Sequence, residues 1–506
     1  MRWYLALVLS AWAVGPTICL TGPESKAVKA ACASLSSMMT DVHYPNSSTY
    51  PLLNTYWSTR QSDVHPRCFF TPRSTSDVSR AMRMLTRLGA PFTVRGGGHT
   101  AFPGSSNIED GVTIDLRKMN QIAVSMDQRT VSVGPGNRWI NVSEALDPLG
   151  LAVVGGRSAT VGVSGLILGG GLSYFSGRRG WACDNVNNFE IVLSSGEIVN
   201  ANAEENADLF WALRGGGGSS WGIVTKFDLA SFEQGDLWTR SVVYDGATAN
   251  KSLVPMVASM AGLRLNTDDD AHAYFVQTYD RASGRWLFLA SFFHAAPPAW
   301  DSTPPVFRQF DHVPGVIRNE TRRADVSTLT RLVEEPVGLF RKTWWDTTIS
   351  AVRPEQLLGE ITRLYEEYVS KIVQQAGNRT FTPFFVLQPI TDNMIAHMQK
   401  DGGNALGLNP EYGPLIMVQL SSSWTDAALD TLIESSSKEF IDKVESMAWD
   451  RHLLRSFVYM NYAGKSQDVL RRYGQKNYQR LKVIAEKWDP QRLLQKLWRG
   501  YFQVGT

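Results

Sequence analysis

Charge of one sign is missing from this chain. Its 506 residues carry 50 Lys and Arg against 48 Asp and Glu, a formal net of +2. No basic run is long enough to hold a polyanion or a charged membrane surface, so nucleic acid is not expected as a partner. Beyond the N-terminus, no segment has the ~20 apolar residues that a membrane-spanning helix needs. Cysteine is scarce, with four residues, and neither C-x-x-C nor H-E-x-x-H occurs; structural or protease-type zinc is excluded and no metal is expected. Low-complexity tracts and 20–50-residue repeats are absent as well. Hydrophobic residues at 43% and aromatics at 11% exclude wholesale disorder.

What is present begins with MRWYLALVLSAWAVGPTICLTG, in which Arg2 precedes an apolar run from Trp3 to Val14. This is the pattern of a secretory signal peptide, too short for a permanent anchor. A buried N-terminal helix is the weaker alternative, because nothing amphipathic continues from it. Residues 1–20 are assigned to the signal, with cleavage between Ala13 and Gly22, and a secreted or secretory-lumen location is expected. Five N-x-S/T sequons, at Asn46, Asn141, Asn250, Asn319 and Asn378, then make some glycosylation expected. With Cys19 set aside, Cys32, Cys68 and Cys183 remain. An oxidising compartment permits one bridge, expected between Cys32 and Cys68, leaving Cys183 as a small buried thiol.

A chain of this length exceeds one ordinary core. An N-terminal segment (21–61) precedes an α+β unit (62–234). In it, Ser76 is expected to cap a helix with Val78, Ala81, Met82 and Leu85 on one stripe, stopped by Gly89. Short strands are expected at Pro91–Val94, in GVTIDL, TVSVGPG and LAVVGG, and across Phe189–Ala201. Residues 235–455 alternate helical patterns (Pro354–Gln375, Thr425–Ala448) with apolar strands (Trp286–His294, Leu415–Trp424). That pattern suits a sheet covered on one face by helices. The last segment, 456–506, holds a helical pattern from Gln467 to Lys487.

Glycine is where the chemistry concentrates. GGGHTA (Gly96–Ala101) satisfies G-x-G-x-x-A by letter, but Pro103-Gly104-Ser105 follows where a Rossmann turn must open a helix. No Gly-Lys-Ser/Thr follows it either, which removes the P-loop. A lone loop of this kind would be bland. Three others repeat it: GPGNRW (Gly134–Trp139), GGRSATVGVSGLILGGGLS (Gly155–Ser173) and RGGGGSSWGIVTKFDL (Arg214–Leu229). Glycines without Cβ let main-chain N–H groups approach an anion closely. Four such loops favour a large dianionic ligand, a dinucleotide cofactor, over mere turns.

The order of PRCFFTPRSTSDVSRAM, PFTVRGGGHTAFPGSSN, GVTIDL, GPGNRW, TVGVSGLILGGGLS, GWACDNV, NADLFWALRGGGGSSWGIVTKF and the late FVYMNYAGKSQ closely resembles secreted, fungal-type flavoproteins of the berberine bridge enzyme-like group. Their FAD-binding domain is PCMH-type, of the vanillyl-alcohol oxidase class. The resemblance implies an α+β fold: a PCMH-type FAD-binding domain (62–234), a substrate domain with an antiparallel sheet covered by helices (235–455), and a C-terminal segment (456–506) returning to the flavin. It implies a covalent bond from His99 to the flavin C8α methyl, which would make the flavin a stronger oxidant. It places Arg95, Gly96, Gly97, Gly98, Thr100, Ser105 and Ser106 along the pyrophosphate, and Thr160, Val161, Gly162, Ser164 and Gly165 past the isoalloxazine. Gly222, Ile223 and Val224 would hold the adenosine end, and Asn461 would face the cofactor. Val161 is the residue type seen in oxygen-reactive relatives.

Two departures sharpen the expectation. Where many relatives carry a second flavin link through cysteine, GGRSATVG has Ser158, so attachment through one histidine is expected. Where plant members carry a catalytic glutamate before a tryptophan, alignment on Trp424 offers Met417 and Gln419. The base is therefore sought in YMNY, with Tyr462 first and Tyr459 second; period two would put Tyr459, Asn461 and Ala463 on one strand face with Tyr462 opposite. Core packing with a satisfied hydroxyl is the competing role for either tyrosine. The expected activity is oxidation of a small organic molecule, a secondary metabolite, by hydride transfer to FAD with O2 as acceptor, in a monomer. A carbohydrate oxidase, a flavin-binding glycoprotein without turnover and a template for cyclisation are the alternatives.

Overall fold

The computed structural model describes residues 22–261, 267–298 and 302–505. The signal-peptide assignment lies outside them. Ser74 caps the helix Thr75–Leu88: its hydroxyl accepts from Asp77 N while the Asp77 carboxylate accepts from Ser74 N. This reciprocal box displaces Ser76, which lies within the first turn. Gly89 ends the helix in the left-handed region at φ 65°, where glycine has no Cβ penalty. Val78, Ala81, Met82 and Leu85 are buried as the stripe requires.

Behind that helix a small sheet orders Val42–His43, Cys68–Phe70, Val112–Asp115 and Phe92–Arg95. Its last three strands are parallel. The Cys32–Cys68 disulfide ties the helix Gly22–Met38 to it, with Cα atoms 6.2 Å apart. A second sheet is antiparallel and organised by one long strand, Ile223–Glu233, which pairs with Thr130–Val133, Val186–Val192 and Leu151–Val153. The run expected across Phe189–Ala201 is a hairpin of Val186–Val192 and Ile198–Asn202 turning at Gly196.

The third sheet has eight strands. Its order is Val316–Ala324, Leu237–Asp245, Arg285–His294, Ala271–Asp280, Phe381–Ile390, Leu415–Trp424, Arg341–Ser350 and Leu454–Arg455. Every pairing is antiparallel. Helices Gly246–Ser259, Glu355–Ala376 and Asp430–Trp449 pack on one face. There Phe275, Phe385 and Leu420 join Tyr365 and Phe440 in a buried cluster. Side chains one residue along point to the opposite face by the period of the strand. That opposite face is a cavity wall.

The chain's last described stretch closes the first half of the molecule. Ser219 Oγ donates to Phe502 O, Gln503 Nε2 donates to Ser219 O, and Val504 N donates to Ser220 Oγ. The helical pattern of Gln467–Lys487 is broken: Val469–Arg472 stops at Tyr473, and Gln475–Trp488 restarts after Gly474 at φ 93°. YMNY is a turn and not a strand. Tyr462 N donates to Tyr459 O at 2.9 Å, so the two tyrosines lie together, rings edge-on at 4.9 Å.

Of the sequons, Asn46, Asn141, Asn319 and Asn378 are exposed. Asn141 Oδ1 accepts from Arg138 N and Asn319 Oδ1 from Arg240 Nε; the side chain of Asn250 lies outside the description.

Candidate active site

A cavity of about 680 Å3 runs between the glycine loops and the eight-stranded sheet. Gly96–Thr100, Ser105, Ser106, Val161, Gly162, Ser164, Gly165 and Gly222–Val224 border it on one side. Tyr459, Asn461 and Tyr462 border it from the C-terminal segment. Most residues singled out from the sequence are thus brought together by three of the four glycine loops and the C-terminal turn. Gly134–Trp139 does not line the cavity, and its Gly134 and Gly136 instead let the chain pass close to Met119 O and Leu116 O.

The glycines serve a purpose beyond ligand approach. A Cβ on Gly97 would lie 2.5 Å from Gly162 Cα, and one on Gly162 would lie 2.5 Å from Gly97 N. Two loops therefore touch backbone to backbone, which only glycine permits. At Gly165, by contrast, a Cβ would meet nothing within 4 Å, and the main chain lies open to the cavity.

Arg95 and Thr160 lie elsewhere than expected. The Arg95 guanidinium turns away from the cavity, donating to Leu53 O and to Thr55 O, 3.5 Å from Asp115 and 3.7 Å over the Tyr56 ring. Its charge is met by buried Asp115, and its N–H groups by carbonyls of the N-terminal segment. Thr160 is buried and does not line the cavity. Gln61 likewise reaches across from that segment, donating to Ser105 Oγ at 2.7 Å and Ser106 Oγ at 3.0 Å. Residues 50–61, unassigned from sequence, brace the glycine turn.

His99 lies on Trp57, ring centroids 3.9 Å apart and nearly parallel. Its Nδ1 is buried without a partner. Burial lowers the imidazole to about 4, so the ring is neutral near pH 7 and Nδ1 carries no demand from the protein. Around it stands a group that the sequence did not announce. Trp57 Nε1 donates to Glu335 Oε2 at 3.1 Å, Lys342 Nζ donates to the same oxygen at 2.6 Å, and Lys342 lies 4.5 Å over the Trp57 ring. Burial works to raise the Glu335 carboxyl, but Lys342, His99 and the indole N–H together hold it below its usual range.

The far wall comes from one face of four adjacent strands. Val386 pairs with Gln419 and Gln419 with Asp346; Phe384 pairs with Ser421 and Ser421 with Trp344. Gln419 reaches the cavity, whereas Met417, its companion in the position sought for a glutamate, is buried outside it. A carboxyl does lie in that row, on the next strand: Asp346 is fully buried, and burial raises it to about 8. Its Oδ2 accepts from Tyr459 N at 2.8 Å and its Oδ1 has no partner. It clamps the YMNY turn from behind.

The two tyrosines differ. Tyr459 is buried, and its oxygen accepts from Gly171 N, Leu172 N and Asn461 Nδ2 at 2.9–3.2 Å; burial pushes this phenol up. Tyr462 is partly exposed to the cavity, edge-on to Trp344 at 5.2 Å. Arg157 Nη2 donates to its oxygen at 3.2 Å and to Gln388 Oε1 at 2.8 Å, while Nη1 meets His272 Nε2 at 2.7 Å. Ser158 donates to Val333 O at 2.9 Å. Cys183 is buried, with its thiol pushed up by burial and the neighbouring Asp184.

The donor set fits FAD: loops of bare backbone, an open Gly165, and an orphaned imidazole nitrogen. A family model described as FAD binding domain matches residues 66–202. The FAD-dependent monooxygenase tpcD of Cochliobolus heterostrophus is 32% identical over 476 residues, covering 91% of this chain and 89% of its own length. The chain belongs to the FAD-linked oxidoreductases.

This FAD-linked oxidoreductase is also 32% identical to the FAD-dependent monooxygenase FUP4 of Fusarium proliferatum, over 89% of this chain and 87% of that one. Among solved structures it matches 6-hydroxy-D-nicotine oxidase from Arthrobacter nicotinovorans with a TM-score of 0.72 at 20% identity, covering 91% of this chain and 97% of that one. Xylooligosaccharide oxidase from Myceliophthora thermophila C1 matches with a TM-score of 0.74 at 19% identity, over 94% and 100%. These last two likenesses speak to the fold alone. Among the described residues, no helix is long and apolar enough to cross a membrane, and no cluster of His, Cys, Asp and Glu could hold a metal.

Proposed function

We propose that this FAD-linked oxidoreductase is a secreted oxidase of a small organic molecule, with FAD bonded through His99 Nδ1 alone. The observation that carries the attachment is that buried, unpartnered nitrogen at the end of the glycine turn. Neutral His99 has a free lone pair there, and Trp57 fixes the plane of its ring. Ser158, its hydroxyl committed to Val333 O, can form no thioether.

Held by the glycine loops, FAD would supply a two-electron acceptor for the hydride of a substrate C–H next to oxygen or nitrogen, with O2 as the final acceptor giving H2O2. Tyr462 takes the proton that the substrate loses. Arg157 donates to its oxygen at 3.2 Å and would stabilise a phenolate that forms only once substrate is bound. Tyr459, its hydroxyl saturated by three N–H donors, positions Asn461 and the turn. Val161, which borders the cavity, is the side chain assigned to O2 access.

A role in secondary metabolism is supported by a solved neighbour, GilR, described as an oxidoreductase of the terminal step of gilvocarcin biosynthesis. Acid precipitation of the purified protein tests the covalent bond: yellow colour should pellet with the polypeptide, and colour in the supernatant would refute it. The relatives named monooxygenases favour a second reading, insertion of oxygen. Reaction under 18O2 separates the two. An oxidase releases labelled H2O2 in step with product, and a monooxygenase leaves label in the product.

A further inference from the structure

Arg157 is a cation facing the cavity whose recorded partners carry no negative charge. Its guanidinium meets the His272 ring, the Gln388 amide and the Tyr462 phenol, and it lies 5.2 Å over the Tyr274 ring. His272 is buried, and burial, with the Arg157 charge second, holds it well below its usual value, so that ring is neutral. Among the described residues no carboxylate lies within ion-pair distance of Arg157. The cavity's other cation, Lys342, has its counter-charge in Glu335 at 2.6 Å. A charge drawn partly out of water with only neutral partners is expensive unless something else supplies the opposite sign.

The surrounding wall narrows what that something is. Trp344 and Phe384 present aromatic surface from the two strands that flank Leu415–Trp424, and Gln419 and Ser421 add neutral polar groups on that strand between them. A flat, conjugated molecule suits such a wall, and its hydrogen-bonding groups would be met by amides and hydroxyls. We propose that Arg157 binds an anionic oxygen of the substrate, so that the substrate class is an aromatic or conjugated acid: a phenol or enol ionised on binding, or a carboxylate. Charge-assisted hydrogen bonds from the guanidinium would orient the ring by that oxygen. The inference deepens the function proposed above, since it takes the same cavity as the substrate site. It is read by binding, so that a protein without oxidase turnover still tests it.

The FAD-loaded enzyme is titrated calorimetrically with three probes of similar shape: 4-nitrophenol at a pH that ionises it, benzoate, and neutral nitrobenzene. An anionic probe should bind at least tenfold more tightly than nitrobenzene. That advantage should vanish in Arg157→Met and persist in part in Arg157→Lys. Preference for 4-nitrophenolate identifies a phenol or enol, and preference for benzoate a carboxylate. Equal binding of nitrobenzene by the unaltered enzyme overturns the assignment without any variant. So does an Arg157→Met enzyme that turns over more slowly, or shifts the flavin potential, yet holds 4-nitrophenolate and benzoate as before; Arg157 would then serve Tyr462 or the flavin only.

Discussion

The two sides of the cavity are built on different terms. On the glycine side the main chain is the surface: Gly97 and Gly162 meet backbone to backbone and Gly165 lies bare. On the sheet side the surface is side chains, taken at every second residue from four strands that are neighbours in space only. A cofactor shared by a whole family can be held by atoms that every residue has. A substrate peculiar to one member must be held by atoms that distinguish residues.

That contrast can be broken from either side. On the sheet side, Tyr462→Phe keeps the ring against Trp344 and removes the oxygen at Arg157. With a substrate in hand, kcat should fall by roughly 10²–10⁴ while bound FAD is unchanged. A kcat within a factor of two of the parent would remove Tyr462 as the base. On the glycine side, His99→Ala should bring the flavin that pellets with acid-precipitated protein from nearly all to nearly none. Gly162→Val tests the backbone contact itself. Its side chain must push Gly97 away, which costs about 1–3 kcal/mol or more. A lower melting temperature together with poorer FAD retention is expected, and a protein indifferent to the change would show that the loops can separate freely.

A fourth test lies behind the sheet wall. Burial raises the Asp346 carboxyl to about 8, against roughly 3.9 for an unfolded chain. A carboxyl raised in this way contributes its stabilisation fully below the unfolded value and loses it as pH climbs through the folded one. Stability should therefore fall between about pH 4 and pH 8, and Asp346→Asn should flatten that slope in denaturant melts. A slope unchanged in the variant would assign it to other groups. The smallest effect belongs to Ser158→Ala. Loss of the bond to Val333 O costs about 1 kcal/mol at most, and the fraction of acid-stable flavin should not move.

Legibility followed the same division. His99, Gly96–Gly98, Gly162 and Gly222–Val224 could be picked out because a backbone surface leaves a written trace, runs of glycine. Trp57, Glu335 and Lys342 leave none, since Trp57 reaches Glu335 across 278 positions and nothing local marks either end. Arg157 stood in the open, one residue before Ser158, but its meaning depends on His272 and Gln388, which only the sheet register brings near. Asp346 lies in the row where a glutamate was sought, on the neighbouring strand; pairing, invisible in sequence, decides that. YMNY failed for a different reason. Four residues fit a strand face as well as a turn, and the Tyr462-to-Tyr459 backbone bond settles it as a turn. The Ser74 box outcompeted Ser76 because Asp77, three residues on, answers it.

The bonds from residues 502–504 to Ser219 and Ser220 set an order of events. The loop around Gly217–Val224, which borders the cavity, is made less than halfway through synthesis, yet its partners are translated almost 300 residues later. Until those partners arrive, Ser219 and Ser220 lack three of the hydrogen bonds that hold them. A chain cut shortly before residue 502 forfeits those three bonds and is expected to retain FAD less well than the full chain.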